Sequence, residues 1–200
     1  VPGAILFDLG LITHTVRPGP KEGYNAAMRA GCRVLQGSVG AGTGATVGKA
    51  LGITRAVKGG IGTASITLGS GLVVGAIVAV NAFGDVVDPD TGKVLAGPRR
   101  VDGRGFHSTL DLLIREDGPS PGSTLTNTTI GVIATNACLD KEQANRLAMQ
   151  AHDGLALAVR PCHAMVDGDV FFALATGSSG EVVNMARLGA AVVTVVSRAI

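Results

Sequence analysis

Residues 49–81 constrain the fold of this 200-residue chain more than any other segment. They contain the run "TASITLGSGLVVGAIVAVN", in which β-branched and small apolar residues alternate, and glycines interrupt the segment at 59–60 and 69–71. β-Branched residues favour strands, and a glycine cluster between two such runs is typical of a turn. The segment therefore predicts two adjacent strands.

Five further segments complete the first part of the chain. The apolar run "AILFDLG", residues 4–10, predicts a short strand, and residues 18–34 predict a helix that opens with Pro and Lys-Glu and closes near Gly31. Residues 35–52 form a glycine-rich loop, and "DPDTGK" predicts a turn. Residues 98–124 are polar and rich in Gly and Pro, so they predict one long loop.

The last part of the chain alternates between helices and strands. Polar residues ending at Asn127 lead into a β-branched strand. Asp140 and Gln143 have the spacing of a capping box, followed by a helical stripe of apolar residues. The run "HAMVDGDVFFALAT" predicts either one strand or a hairpin about Asp167-Gly168, and residues 181–200 predict a packed terminal helix.

Composition excludes several classes of function. Hydrophobic residues make up 46% and charged residues 16% of the chain, which is typical of a single well-packed domain. A net charge of +2, one Tyr and no Trp argue against nucleic-acid binding, and the terminal apolar segment is too polar to span a membrane. No signal peptide is visible, and three cysteines without a C-x-x-C pair argue against disulfides or zinc. We therefore expect a cytoplasmic protein without a metal or cofactor.

The glycine-rich loop does not meet the requirements of a phosphate-binding loop. A Walker A motif needs a hydroxyl residue after its lysine, but Ala50 follows Lys49, and the spacing of the glycines also differs. The pattern Gly40-x-Gly42-x-x-Ala45 fits a loose dinucleotide motif, but no convincing strand precedes it. Nucleotide binding is therefore not favoured.

The cysteines and histidines show no strong catalytic pattern. Cys162 and His163 are neighbours in sequence, which does not place a thiol against an imidazole in space, so a buried small cysteine is the favoured interpretation. His14, His107 and His152 are scattered without metal-ligand spacing.

Four polar residues have both an ordinary and a catalytic interpretation. Asp167 and Asp169 lie either in a solvated turn, which is favoured, or on one face of a strand directed at a pocket. Lys49 is by default a surface lysine. Asn81 ends an apolar strand, where its amide either closes a turn or donates to an oxyanion.

Asn127-Thr128 is the remaining motif, where a polar segment meets a strand. A threonine at a new N-terminus carries a nucleophilic hydroxyl and an α-amine whose unperturbed pKa of about 7.7–8.0 suits a base near neutral pH. Before cleavage the same hydroxyl can attack the carbonyl of Asn127. Taken alone, a loop entering a strand is still the favoured interpretation of this dipeptide.

Several motifs together strengthen the catalytic interpretation. "VPGAILFDLG", "GSVGAGTGATVGKA", "GAIVAVNAFGDVVDPDTG", "NTTIGVIATNA" and "DGD" before an apolar strand occur in this order. In the order of these motifs the chain resembles the L-aminopeptidase/D-esterase family of self-processing hydrolases, which includes the nylon-oligomer endo-amidases. The resemblance implies an α/β fold, a four-layer αββα sandwich of the N-terminal-nucleophile type. It also implies amide hydrolysis on short peptides or amides, and a homo-oligomer of αβ units.

The resemblance also implies how the chain is divided. Asn127-Thr128 matches the processing bond, so residues 1–127 correspond to the C-terminal part of an α-chain and residues 128–200 to a β-chain, within a single domain. The family has a segment before "VPGAILFDLG" that includes an active-site tyrosine, and Tyr24 does not match it. We therefore expect a chain that is incomplete at its N-terminus.

The family's catalytic positions match residues of this chain. Thr128 matches the nucleophile, Lys49 the lysine that supports it, and Asn81 the residue that stabilises the oxyanion. Asp167 and Asp169 match the paired positions that orient the nucleophile. Two alternatives remain open: an acyltransferase of the ornithine acetyltransferase type, and an inactive fragment that does not process.

Overall fold

A computed structural model describes residues 3–115, 118, 127–180 and 183–200. Its strands are β1 (Thr46–Val47), β2 (Val57–Lys58), β3 (Gly60–Thr67), β4 (Val73–Val80), β5 (Asp85–Val87), β6 (Val94–Ala96), β7 (Ile130–Thr135), β8 (Val159–Arg160) and β9 (Val170–Ala175). Its α-helices are α1 (Pro20–Met28), α2 (Thr109–Ile114), α3 (Lys141–Ala158) and α4 (Met185–Ala199).

The largest sheet has four strands in the order β3-β4-β7-β9. β3 and β4 are antiparallel, with Gly60 opposite Val80 and Thr67 opposite Val73, which confirms the two adjacent strands predicted from residues 49–81. β7 continues the sheet antiparallel to β4, and β9 lies parallel to β7. A parallel pair needs a long crossover, and α3 provides it.

Helices α3 and α4 cover one face of this sheet and build the core against it. Asp140 accepts a hydrogen bond from the backbone N–H of Gln143, and the Gln143 side chain accepts one from the N–H of Asp140, so the predicted capping box is confirmed. The fully buried core side chains come from the sheet and from both helices: Val74, Val78, Ile133, Leu147, Leu155, Leu188, Val192, Val195 and Val196. None of the described helices is long and apolar enough to cross a membrane.

A second sheet has three short strands in the order β6-β5-β8. The predicted turn at "DPDTGK" joins β5 to β6, and the Asp88 carboxylate accepts the backbone N–H groups of Asp90 and Thr91. Burial raises the pKa of Asp85 in β5 to about 6. Its two oxygens accept the N–H and the hydroxyl of Thr109, so this carboxylate anchors the start of α2.

The face of the large sheet opposite the helices is apolar and partly exposed. Val73 and Ile77 of β4 and Leu174 of β9 are exposed there. The structure therefore has sheets with helices packed on one side, and the expected α/β class is confirmed.

Four local predictions were wrong or only partly right. Residues 4–10 form no strand and are mostly exposed, because their apolar side chains find no partner strand. The predicted long loop contains α2, and residues 116–117 and 119–124 of it lie outside the described residues. Asp167-Gly168 is not the tip of a hairpin, since Asp167 forms a parallel bridge to Asn127. The terminal helix begins at Met185, and residues 181–182 lie outside the described residues.

Two helical glycines provide a test of how closely α3 and α4 pack. A Cβ on Gly154 of α3 would lie 2.7 Å from the Val193 carbonyl oxygen and 2.8 Å from the Val196 Cβ of α4. We expect Gly154→Ala to lower the free energy of unfolding by about 1–3 kcal/mol, because overpacking outweighs the gain in helix propensity. Urea unfolding measures this change.

Gly23 of α1 is the matched control, because a Cβ at this position would meet no atom within 4 Å. Gly23→Ala should leave stability unchanged or raise it by up to about 1 kcal/mol. Equal effects of the two substitutions would contradict the close packing of α3 against α4.

Candidate active site

The parallel pairing of β7 with β9 extends backwards beyond both strands. Asn127 and Asp167 form a parallel bridge. The N–H of Gly168 donates to the carbonyl oxygen of Asn127 at 2.8 Å, and the N–H of Val170 donates to that of Thr129 at 2.9 Å. Residues 127–129 therefore lie side by side with residues 167–169.

Thr128 lies at the centre of this arrangement. Its hydroxyl donates to the carbonyl oxygen of Asn127 at 2.5 Å, the same oxygen that accepts the Gly168 N–H. Its backbone N–H donates to the carbonyl oxygen of Asn81 at 3.0 Å. A Cβ on residue 168 would lie 3.0 Å from the Thr128 hydroxyl oxygen, so glycine at this position gives the hydroxyl its room.

Lys49 and Asn81 form the second part of the site. The Lys49 ammonium donates to the backbone oxygen of Asn81 at 3.1 Å and to its side-chain Oδ1 at 2.8 Å. The N–H of Thr46 also donates to this Oδ1, at 3.0 Å. Two donors on Oδ1 fix the orientation of the amide, and Lys49 shares the backbone oxygen of Asn81 with the N–H of Thr128.

Lys49 is not the surface lysine that its default interpretation predicts. Lys49 is only 2% exposed. Burial lowers the pKa of Lys49 to about 8, and the nearby Asp167 carboxylate partly opposes this shift. The backbone of Lys49 is held in place by a hydrogen bond from its N–H to the carbonyl oxygen of Phe83.

Asp167 and Asp169 both accept hydrogen bonds from backbone N–H groups at the site. Asp167 accepts the N–H groups of Phe83 at 3.1 Å and Ala164 at 3.2 Å. Asp169 accepts the N–H of Thr129 at 2.7 Å. Burial, together with the neighbouring Asp169, raises the pKa of Asp167 to about 6. The favoured interpretation of a solvated turn was therefore wrong, because these carboxylates are enclosed and hydrogen-bonded.

The five candidate catalytic residues and Asn127 are thus connected through one network. The connections run from Lys49 through Asn81 to Thr128, and from Asn127 and Thr129 to the 167–169 segment. Sequence reasoning missed the role of Gly168, whose N–H contacts Asn127, and it considered His163 only as a neighbour of Cys162. His163 lies 3.2 Å from Asp169 and 3.2 Å from His152, although the two histidines are far apart in sequence.

Cys162 does not combine with His163 as a catalytic pair. Burial, followed by the Asp169 carboxylate, raises the pKa of the Cys162 thiol, which disfavours the reactive thiolate. Among the described residues, no group of three or more His, Cys, Asp or Glu side chains could hold a metal ion.

Comparison with known proteins identifies the family. The sequence model of peptidase family S58 matches residues 2–200. The chain belongs to this family. The resemblance inferred from the sequence motifs is therefore confirmed.

Two relatives show how family S58 members are described. An uncharacterized aminopeptidase of Mycobacterium tuberculosis (strain ATCC 25618 / H37Rv) is 43% identical over 182 residues, which cover 89% of this chain and 51% of the relative. A 6-aminohexanoate-oligomer endohydrolase of Kocuria sp. (strain KY2) is 30% identical over 180 residues, covering 88% of this chain and 50% of the relative. The S58 chain described above thus spans about half the length of the curated relatives it matches.

A solved structure extends this likeness to the fold. The L-aminopeptidase D-Ala-esterase/amidase of Ochrobactrum anthropi superimposes with a TM-score of 0.56 at 27% identity, covering 86% of this chain and 45% of that one. That enzyme is a variant of the Ntn hydrolase fold. The expected N-terminal-nucleophile fold class is therefore confirmed for this S58 chain.

The buried Lys49 predicts a specific dependence of stability on pH. Between its folded pKa of about 8 and its unfolded pKa of about 10.4, the unfolded chain holds more of this proton than the native chain. Stability therefore rises with pH in this window, by about 1 kcal/mol per pH unit. In a Thr128→Ala background, which prevents any self-cleavage, Lys49→Met should abolish this rise in urea unfolding measured at pH 7 to 10.

The exposed Lys141 at the start of α3 provides the control. Lys141→Met should keep the pH dependence of the parent. The free energies of unfolding of Lys49→Met and the parent are compared at each pH. If their difference does not change with pH, Lys49 titrates as a solvated lysine.

Proposed function

We propose that this chain is part of a self-processing amide hydrolase in which Thr128 is the nucleophile. The observation that carries this proposal is the environment of the Asn127 carbonyl oxygen. It accepts both the hydroxyl of Thr128 and the N–H of Gly168, so the Asn127-Thr128 peptide bond is polarised beside a nucleophile.

In the first step the chain cuts itself. The Thr128 hydroxyl oxygen attacks the carbonyl carbon of Asn127, and the negative charge that develops on the carbonyl oxygen is stabilised by the Gly168 N–H. The hydroxyl proton leaves to a nearby base. Lys49 suits this role because its pKa of about 8 leaves part of it neutral near pH 7 to 8.

Release of the new terminus completes processing. The C–N bond of the tetrahedral intermediate breaks and the Thr128 nitrogen gains a proton, which leaves the Asn127 acyl group esterified to the Thr128 oxygen. Water hydrolyses this ester to a carboxylate on Asn127 and a free Thr128. The nitrogen that becomes the α-amine already donates to the carbonyl oxygen of Asn81, so it is held in position before the cut.

The processed site then hydrolyses amide bonds of substrates. The α-amine of Thr128 takes the proton from its own hydroxyl, which attacks the substrate carbonyl, and later returns this proton to the leaving amine. Lys49 and Thr46 occupy Oδ1 of Asn81, which orients the NH₂ group of this amide as a donor for the oxyanion. Asp169 holds the N–H of Thr129, and Asp167 holds the N–H of Phe83 and partly balances the charge of Lys49.

The substrates we propose are short peptides or amides with a free amine. One relative is described as an aminopeptidase and another as an endohydrolase of 6-aminohexanoate oligomers, and both names describe hydrolysis of amide bonds. A cavity of about 600 Å³ includes Ala79 and Ile130, which pair in adjacent strands beside Asn81 and Thr128. Its mainly apolar lining also holds the carboxylates of Asp8 and Glu22, together with Arg17, and a carboxylate in such a cavity favours an ammonium group.

Self-processing predicts a defined change in mass. The purified protein should separate on a denaturing gel and in intact mass spectrometry into residues 1–127 and 128–200, whereas Thr128→Ala should stay a single 20.0 kDa chain. Thr128→Ser retains a hydroxyl and should still cleave. The same preparations are assayed for release of amine from short peptide amides.

A parent protein that stays a single chain, with the same mass and activity as Thr128→Ala, would overturn the proposal. A cut at any other bond would overturn the assignment of Thr128.

Gly168 provides a test of the polarised bond. A Cβ at this position would displace the Thr128 hydroxyl, so we expect Gly168→Ala to slow self-cleavage by about tenfold to a hundredfold without unfolding the protein. Gly75→Ala is the control, because its Cβ would make only ordinary contacts at 3.8 Å. Equal cleavage rates in Gly168→Ala and Gly75→Ala would contradict this role.

A further inference from the structure

A chain of side chains leads from the Thr128 segment to the surface through two histidines. Asp169 accepts the N–H of Thr129 with its Oδ1 and lies 3.2 Å from the Nδ1 of His163 with its Oδ2. The Nε2 of His163 lies 3.2 Å from the Nδ1 of His152 on α3. The Asp169 side chain is 1% exposed and that of His163 is 43% exposed, so the imidazole connects a buried carboxylate with solvent.

The backbone of His163 is shaped for this contact. Its φ of 53° is the only left-handed value among the non-glycine residues that the structure describes. This conformation costs free energy for most side chains. Here it lets both the backbone N–H and the Nδ1 of His163 reach the same oxygen of Asp169, each at 3.2 Å.

The hydrogen bonds allow one proton to be shared between the two imidazoles. When His163 is protonated, its Nδ1–H donates to Asp169 and its Nε2–H donates to the Nδ1 of a neutral His152. When His163 is neutral, the Nδ1–H of His152 donates to the Nε2 of His163 instead. Burial, followed by the neighbouring His163, lowers the pKa of His152, which agrees with a pair that carries a single charge.

The titratable groups at His163 lie on its own loop and on α3. Asp169 of the loop and His152 of α3 contact His163 directly. Asp153 acts on His152, and Asp167 acts on the neighbouring Cys162. From β9 the Phe171 ring packs edge-on against His152 and carries no charge. Asp169 is the anionic group that His163 contacts directly, so its carboxylate is the main partner of an imidazolium at this position.

We propose that His163, supported by His152, is a positioning residue that holds the Asp169 carboxylate aimed at the Thr128 segment, and so sets the acid limit of activity. This inference rests on the proposed function, because it assigns a pH response to the same site. His163 acts through Asp169 and does not touch the reacting atoms.

The direction of the effect follows from the charge. Loss of the imidazolium removes a positive charge 3.2 Å from the Asp169 carboxylate, which favours the neutral acid. The loss of activity on the acid side then begins at a higher pH. A neutral imidazole carries no such charge, so the difference is confined to the acid side.

The first experiment compares pH profiles of kcat/KM for amide hydrolysis. Asn tolerates the left-handed conformation, and its side-chain NH₂ can replace the Nδ1–H of His163 without a titrating charge. His163→Asn should move the acid limb up by about half a pH unit or more and leave the rate above about pH 8 unchanged. His14→Asn, which removes an exposed histidine elsewhere, should reproduce the parent profile.

Superimposable profiles for His163→Asn and the parent would overturn the positioning role. A uniform loss of rate at every pH together with a lower Tm would also overturn it, because that pattern indicates a structural role alone.

The second experiment needs no activity. The chain has four histidines, so the ring signals in an NMR titration of Thr128→Ala can be assigned by single substitutions. Asp169→Asn should change the ring signals of His163 and leave those of His14 unchanged. A His163 signal that does not respond to Asp169→Asn would overturn the coupling.

The two experiments separate the two proposals. Absence of turnover in the parent, with the coupling in the NMR titration intact, would overturn the proposed function. Turnover with an unchanged acid limb in His163→Asn would overturn only the positioning role of His163.

Discussion

The candidate site depends on the parallel pairing that joins residues 127–129 to residues 167–169. This pairing puts the Gly168 N–H on the Asn127 carbonyl oxygen and the Asp169 carboxylate on the Thr129 N–H. Successive residues of a strand point to opposite faces, so a register slip of one residue would move both carboxylates away from Thr128. The four-stranded sheet and its helix layer hold this register, because β7 is buried between β4 and β9.

Burial brings two groups of the site to a pKa near neutrality from opposite directions. Desolvation lowers the pKa of Lys49 to about 8 and raises that of Asp167 to about 6. Each charged group keeps hydrogen-bond partners, namely two oxygens of Asn81 for the ammonium and two backbone N–H groups for the carboxylate. Groups that titrate near physiological pH in an enclosed, hydrogen-bonded position are typical of functional sites.

Local patterns in the sequence predicted the elements that local physics determines. The β-branched runs gave β3 and β4, and the Asp140-Gln143 spacing gave the start of α3. The run "AILFDLG" failed as a strand because an apolar pattern specifies a strand only where a partner strand is available. Asp167-Gly168 failed as a hairpin tip because a long-range pairing with Asn127 overrides its turn preference.

The candidate site also contains residues that the sequence could predict and contacts that it could not. Lys49, Asn81 and Thr128 could be selected from residue type, strand ends and the order of motifs, and the structure brings them together. The contact between His163 and His152 could not, because it joins a loop to a helix through tertiary packing and leaves no periodic signal. Gly168 contributes a backbone N–H. Every residue except proline carries this group, so the residue type does not reveal the contact.

The order of strands has a consequence for a chain cut after Asn127. Strands β3 and β4 precede this bond, whereas β7, β9 and both core helices follow it, so the two pieces share one sheet through the β4–β7 ladder and one core. Folding of the intact chain is unimolecular, but reassembly of the separated pieces would be a bimolecular association that depends on concentration. Processing would therefore make the folded state hard to regain once lost, and the lifetime of the cut protein would be governed by its rate of unfolding.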